Sequence, residues 1–241
     1  MERREFLEKG IKLSSIIAFG NILIGCKGSD VFGGLEVTGY YTNLAGKKTK
    51  LSKALIPRST REFYLKFSGD ITTNKDYSPK ELVDLYKGSN IVPTYKDYNT
   101  TSMTLKVNEK LEYGATYKIE IDGRIAGDDL GDGTTIEFYT TPVVLSLESA
   151  QIGLTDSVSI SVDGLIINGK VLDDYRIKAI KAIDSKGSAV TKSAVTRVLD
   201  ILIDGYTITF KSKNNKGDFL FEILLSSGGK DYKGYFYIDV A

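Results

Sequence analysis

Apolar and polar side chains alternate with a period of two along most of this chain from Leu35 onward. Phe63, Leu65 and Phe67 interleave with Glu62, Tyr64 and Lys66. Met103, Leu105 and Val107 repeat the pattern, as do Tyr117, Ile119 and Ile121, and Ile136 with Phe138. Successive side chains of a strand point to opposite faces, so this period predicts strands with one buried face. Turn-forming residues separate them at Gly88-Ser89-Asn90, Asn99-Thr100, Tyr113-Gly114 and the glycine-rich stretch from Gly127 to Gly133. Short strands with closely spaced turns predict an all-β sandwich of antiparallel sheets. One helical turn is expected at Ser78-Pro79-Lys80-Glu81, where a serine cap precedes proline at the first helical position.

Pro142 closes this stretch, and the same grammar resumes after it. Val158, Ile160 and Val162 alternate, and Ile177, Ala179, Ile180 and Ile183 lead into Asp184-Ser185-Lys186-Gly187. Leu199, Ile201 and Ile203 precede Gly205, and Ile208 and Phe210 follow it. Phe219 to Leu225, Ser226 to Lys230, and Tyr235-Phe236-Tyr237-Ile238 predict a closing hairpin. The run Ala179 to Ile183 also fits a helical turn, but its β-branched and aromatic neighbours favour a strand. A second sandwich over residues 143–241 is the resulting expectation.

Composition changes the picture chiefly by what is missing. The chain has no histidine, which removes the commonest general base and transition-metal ligand. Cys26 is the single cysteine, so the cores must hold by packing without disulfides. An enzyme here would have to run on Asp, Glu, Ser, Lys or Tyr, and none is expected. Four of the 32 basic and three of the 31 acidic residues lie in residues 1–25, leaving 28 of each in the remainder. A remainder without net charge lacks the clustered positive field that nucleic-acid binding needs, so no nucleic-acid partner is expected.

The first 25 residues follow a different rule. Arg3 and Arg4 open a charged stretch, an apolar run extends from Leu13 to Gly25, and Leu23-Ile24-Gly25-Cys26 ends it. A helix of that run would be roughly 20 Å long, too short to span a bilayer. The arrangement resembles a bacterial lipoprotein signal peptide with its lipobox. That resemblance implies diacylglycerol on the Cys26 sulfur and cleavage before Cys26, the small Gly25 admitting the peptidase. Arg3-Arg4-Glu5-Phe6-Leu7 also resembles the core of the twin-arginine export motif, although Glu2 and Glu8 replace its flanking hydroxyl and lysine residues. General secretion is the other route, and a buried N-terminal helix of a cytoplasmic domain is the other reading. Each buried methylene contributes about 0.8 kcal/mol, so two acyl chains make a stable anchor. Residues 26–34, with Lys27-Gly28-Ser29-Asp30 and Gly33-Gly34, read as a short flexible tether.

The alternating segments carry a second resemblance. Phe63-Tyr64-Leu65-Lys66-Phe67-Ser68 is similar to the opening strand of SbsA-type bacterial Ig-like domains, found in S-layer and other envelope proteins. Leu111 to Ile119 is similar to that family's L-x-x-G-T-x-Y-x-V strand, and Glu137-Phe138-Tyr139-Thr140-Thr141 to its closing strand, with Gly127 to Gly133 at its hairpin. Ser68-Gly69-Asp70 departs from the family's acidic-proline turn. The resemblance covers residues 35–142 and implies an Ig-like fold and envelope association. The expected organisation is therefore a signal helix (1–25), a tether (26–34) and two tandem Ig-like antiparallel β-sandwiches (35–142 and 143–241).

Other candidate chemistry is sparse. Gly164 to Lys170 has the spacing of a phosphate-binding loop, but Val171 stands where a magnesium-ligating hydroxyl should be. A β-turn at Asn168-Gly169 accounts for it better. Ser227-Gly228-Gly229-Lys230 has the Ser-x-x-Lys spacing of penicillin-binding enzymes, yet two glycines between strands predict a hairpin instead of the required helix. Asp128, Asp129 and Asp132 offer hard oxygen ligands suited to calcium, or solvated turn residues. Tyr235 and Tyr237 should share one face of the last strand, where exposed rings would stack on a sugar and half-buried ones would pack across strands.

These readings add up to a non-catalytic, lipid-anchored cell-envelope protein with a structural or adhesive role, held to a membrane through Cys26 and without a cofactor. The alternative is a carbohydrate-binding or calcium-dependent surface recognition protein.

Overall fold

The computed structural model describes residues 30–32, 35–73, 75–127, 133–184 and 187–241. The signal-helix and tether residues before Asp30 lie outside them, as does the loop 128–132.

The first half contains β1 (Asp30–Phe32), β2 (Leu35–Thr42), β3 (Lys48–Lys50), β4 (Leu55–Ile56), β5 (Glu62–Phe67), β6 (Val83–Lys87), β7 (Asn90–Val92), β8 (Thr94–Asn99), β9 (Ser102–Val107), β10 (Thr116–Ile121) and β11 (Thr134–Thr140). The second half contains β12 (Val143–Leu145), β13 (Ser149–Ile152), β14 (Ser157–Ile167), β15 (Lys170–Leu172), β16 (Arg176–Ile183), a helix α1 (Lys192–Val198), β17 (Leu199–Asp204), β18 (Thr207–Ser212), β19 (Gly217–Ser227) and β20 (Lys230–Val240).

Two sheets form in each half. The first pair has strand orders β1-β2-β5-β9-β8, with β3 also on β2, and β4-β11-β10-β6-β7. The second pair has orders β12-β14-β18-β17, with β15 on β14, and β13-β20-β19-β16. The chain is thus all-β, with two tandem Ig-like sandwiches. Pairing is antiparallel except at two sheet edges. β4 runs parallel to β11, and β13 runs parallel to β20. Only residues 146–148 separate β12 from β13, so the chain crosses between the two sheets without reversing and meets its new neighbour in parallel.

Each sandwich has its own core, filled by the inward positions of the alternating segments. In the first, Phe63, Leu65, Leu105, Ile119 and Phe138 are sealed from solvent, and the Phe63 and Phe138 rings lie 5.0 Å apart. In the second, Phe210, Phe221 and Phe236 meet with ring centroids 5.0 to 5.1 Å apart. Burying each such ring contributes about 1.5–3 kcal/mol, and each ring pair roughly another 0.5–1.5 kcal/mol.

The expected helical turn is a 3₁₀ turn at Pro79–Leu82. Ser78 Oγ accepts from the Lys80 N–H, and Glu81 reaches back to the Ser78 N–H at 3.0 Å. α1 has no counterpart in the alternation pattern. It buries only Val195 and Val198, and Thr191 makes no side-chain cap.

Candidate interaction site

The residues singled out in the sequence fall into three groups. Arg3, Arg4, Phe6, Leu7, Leu23, Gly25 and Cys26 lie outside the described residues, and so do Asp128, Asp129 and Asp132. The phosphate-loop spacing is a hairpin between β14 and β15, with Asn168 at φ 49° and Gly169 at φ 76°. Positive φ at both central residues matches the right-handed twist of a two-residue hairpin and leaves no helix to hold a phosphate. Ser227 to Lys230 is likewise a tight hairpin, Ser227 opposing Lys230 across Gly228 and Gly229. Tyr235 and Tyr237 do share a face of β20, but neither is exposed. Burial pushes the Tyr235 phenol far up, and Glu222 and Tyr41 raise it further. Half-buried, the two rings pack against neighbouring strands instead of forming an open platform for a sugar.

Tyr41 belongs to the first sandwich, so Tyr235 marks the junction between the two. Thr141 Oγ1 donates to the Lys233 carbonyl at 2.9 Å, the Asn168 N–H to the Gly114 carbonyl at 3.3 Å, and the Ser59 N–H to Glu148 Oε2 at 3.1 Å. Gly114, at φ 57°, lets the two backbones touch, since a Cβ there would sit 2.1 Å from the Ile166 carbonyl oxygen. Glu222 lies buried opposite Tyr235, held by Lys181 Nζ at 2.9 Å and Lys233 Nζ at 3.0 Å. A lone buried carboxylate costs several kcal/mol, and two ammonium groups offset that. Sequence reasoning missed this junction because its contacts join residues far apart in the chain.

A shallow cleft of about 400 Å³ opens beside the junction, lined by Thr42, Asn43, Ser59, Thr60, Arg61 and Tyr64 among others. Glu62 at its rim accepts from the Tyr64 hydroxyl and pairs with Lys106 at 2.9 Å, which together hold its carboxyl below the usual range. A carboxylate held ionised in this way is a poor proton donor or acceptor near neutrality. Among the described residues, no three Asp, Glu, His or Cys side chains converge to hold a metal.

Two exposed patches stand out among the described residues. On the first sandwich, Tyr95 is 61% exposed, and Lys80 Nζ lies 5.7 Å from its ring and 5.9 Å from that of Tyr98. Arg124 stacks over exposed Tyr77 at 4.2 Å. On the second, edge strand β17 exposes Ile201, Leu202 and Ile203, with Tyr206 just beyond it. The tyrosine count, fifteen, signalled aromatic surface without locating it.

The architecture and these surfaces define a tandem Ig-like β-sandwich protein. No protein-family model and no curated protein matches the chain. Solved structures similar to it include the N-terminal Ig1-2 module of the Drosophila receptor protein tyrosine phosphatase DLAR, with 11% identity over 86% of this chain and 98% of that one, at TM-score 0.27. Another is Titin-A168169, with 8% identity over 85% and 99%, at TM-score 0.28. The N-terminal part of the bacterial S-layer protein SbsC has 14% identity over 79% of this chain and 43% of that one, at TM-score 0.26. At these scores the architecture rests on the chain's own strand pairing.

Proposed function

We propose that this chain is a non-catalytic, lipid-anchored cell-envelope protein whose two Ig-like sandwiches form one fixed unit that presents interaction surfaces outside the cytoplasmic membrane. The junction carries this reading. Hydrogen bonds from Ser59, Thr141 and Asn168 and the backbone contact at Gly114 hold the two sandwiches at a set angle. That arrangement suits a spacer or adhesive module better than a freely linked pair, whose relative motion is the usual default. The lipobox at Leu23 to Cys26 supplies the anchor, and residues 26–34 the tether. Fractionation of native cells tests it. Wild-type protein is expected in the membrane fraction and Cys26→Ser protein in the soluble extracytoplasmic fraction, whereas identical fractionation of the two would overturn the anchor.

A second reading, carbohydrate recognition, draws on exposed Tyr77, Tyr95 and Tyr98 beside Lys80 and Arg124. Glycan-array binding lost in Tyr95→Ala would favour it.

A further inference from the structure

β16 and β17 follow one another in the chain, joined through α1, and each is the outermost strand of its sheet. β12 and β13 occupy the other two edges and are joined by three residues, so β16 and β17 share the opposite flank of the second sandwich. Edge strands present unpaired backbone N–H and C=O groups that template a further strand.

The two edges carry complementary side chains. In β17, Ile201 and Ile203 stand beside core residues Phe210 and Ile208, while Asp200, Leu202 and Asp204 point to the other face. Although their side chains are on the core side, Ile201 and Ile203 remain 37% and 47% exposed, and Leu202 is 66% exposed. In β16, Ile177 and Ile180 lie on the core side beside Leu225 and Ile223, and Arg176 and Lys181 on the outer face. A bulge places Lys178 between Ile177 and Ala179. Asp204 and Arg176 make no ion pair among the described residues.

We propose that a second copy of this chain occupies this flank, its β16 adding antiparallel to β17 of the first, and its β17 to β16 of the first by two-fold symmetry. With Asp204 opposite Arg176 of the second copy, Ile203 meets Ile177, Leu202 faces the bulge, Ile201 meets Ile180 and Asp200 meets Lys181. The apolar row is matched on one face, and on the other Asp204 gains its cation from Arg176, while Asp200 keeps Lys213 at 2.6 Å and Lys181 keeps Glu222 at 2.9 Å; cross-strand pairing of this kind fixes register. The free edge of β16 ends at Lys181, because Ile183 bridges Ala189 and the Ala182 carbonyl accepts from the Val190 N–H at 2.9 Å. Sliding the register by two residues either sets Asp204 against Asp174 or drives Asp200 into that closed end. Two β17 strands paired with each other supply no cation to Asp204, whereas Asp200 is already held by Lys213 Nζ at 2.6 Å. The remainder after residue 25, with 28 charges of each sign, carries no net repulsion to oppose association.

The proposal does not depend on the anchor. Sedimentation velocity of the full-length protein as its cell produces it, in density-matched detergent over a concentration series, tests it. The wild type is expected to form a dimer in reversible equilibrium with monomer. Ile203→Lys should raise its Kd at least about tenfold, and Asp204→Arg and Arg176→Asp should each weaken it. The double variant Asp204→Arg/Arg176→Asp should restore dimerisation, since each reversed charge meets its reversed partner. Circular dichroism melting confirms that each variant is folded. A wild type that stays monomeric throughout overturns the proposal. So does a dimer indifferent to Ile203→Lys, or a double variant no tighter than the singles.

Discussion

Gly114 is required by backbone geometry as well as by space. Its φ of 57° lies in the left-handed region, and a Cβ would collide with the Ile166 carbonyl 2.1 Å away. The backbone conformation alone costs a non-glycine residue about 1–3 kcal/mol, before the second sandwich is displaced. Gly114→Ala should therefore lower the calorimetric melting temperature by several degrees. Gly169→Ala, where φ is also positive but no atom lies within 4 Å of the added carbon, should cost clearly less. Equal losses would remove the junction from the explanation. Tyr41, at the same junction, has its phenol pushed by burial from 10.0 up to about 12. Above pH 10 the unfolded chain loses this proton while the folded one keeps it, so stability is complete below pH 10 and falls as pH rises toward 12. The loss should reach about 3 kcal/mol, read from urea unfolding at stepped pH. Tyr41→Phe should flatten that part of the profile.

Elements were legible wherever one face is buried and the other wet. β5, β9 and β10 show alternating burial that copies their alternating sequence. Hairpins were legible from turn chemistry, as at Asn168-Gly169 and Gly228-Gly229. β8 gave no such signal because none of its residues is buried. α1 was hidden by its length, with two buried valines and an apolar strand beginning directly at Leu199. The parallel edges, β4 on β11 and β13 on β20, depend on which distant strand ends the sheet, and local pattern carries no record of that. In the core of the second sandwich, Phe221 touches the rings of Phe210, Phe219 and Phe236. Phe221→Ala should cost about 3–5 kcal/mol in denaturant unfolding. A loss well under 1 kcal/mol would mean that the sandwich does not depend on this cluster.

At the scale of the molecule, the pair of sandwiches was legible, but the way they meet was not. Ser59 reaching Glu148 and Thr141 reaching Lys233 span about ninety residues in each case, beyond any local signal. The candidate tyrosine pair shows the consequence. Tyr235 and Tyr237 share a face as the strand period requires, yet the first sandwich covers Tyr235, while Tyr95 and Tyr98, on a strand without alternation, are exposed. The anchor was read from Arg3, Arg4, the apolar run and Cys26 alone, and the membrane attachment in the proposed function turns on it. Its most direct test is the intact mass of the protein extracted from its native membrane. The account predicts a chain beginning at Cys26 and carrying the added mass of a diacylglycerol group or more. An unmodified chain that retains residues 1–25 would contradict it.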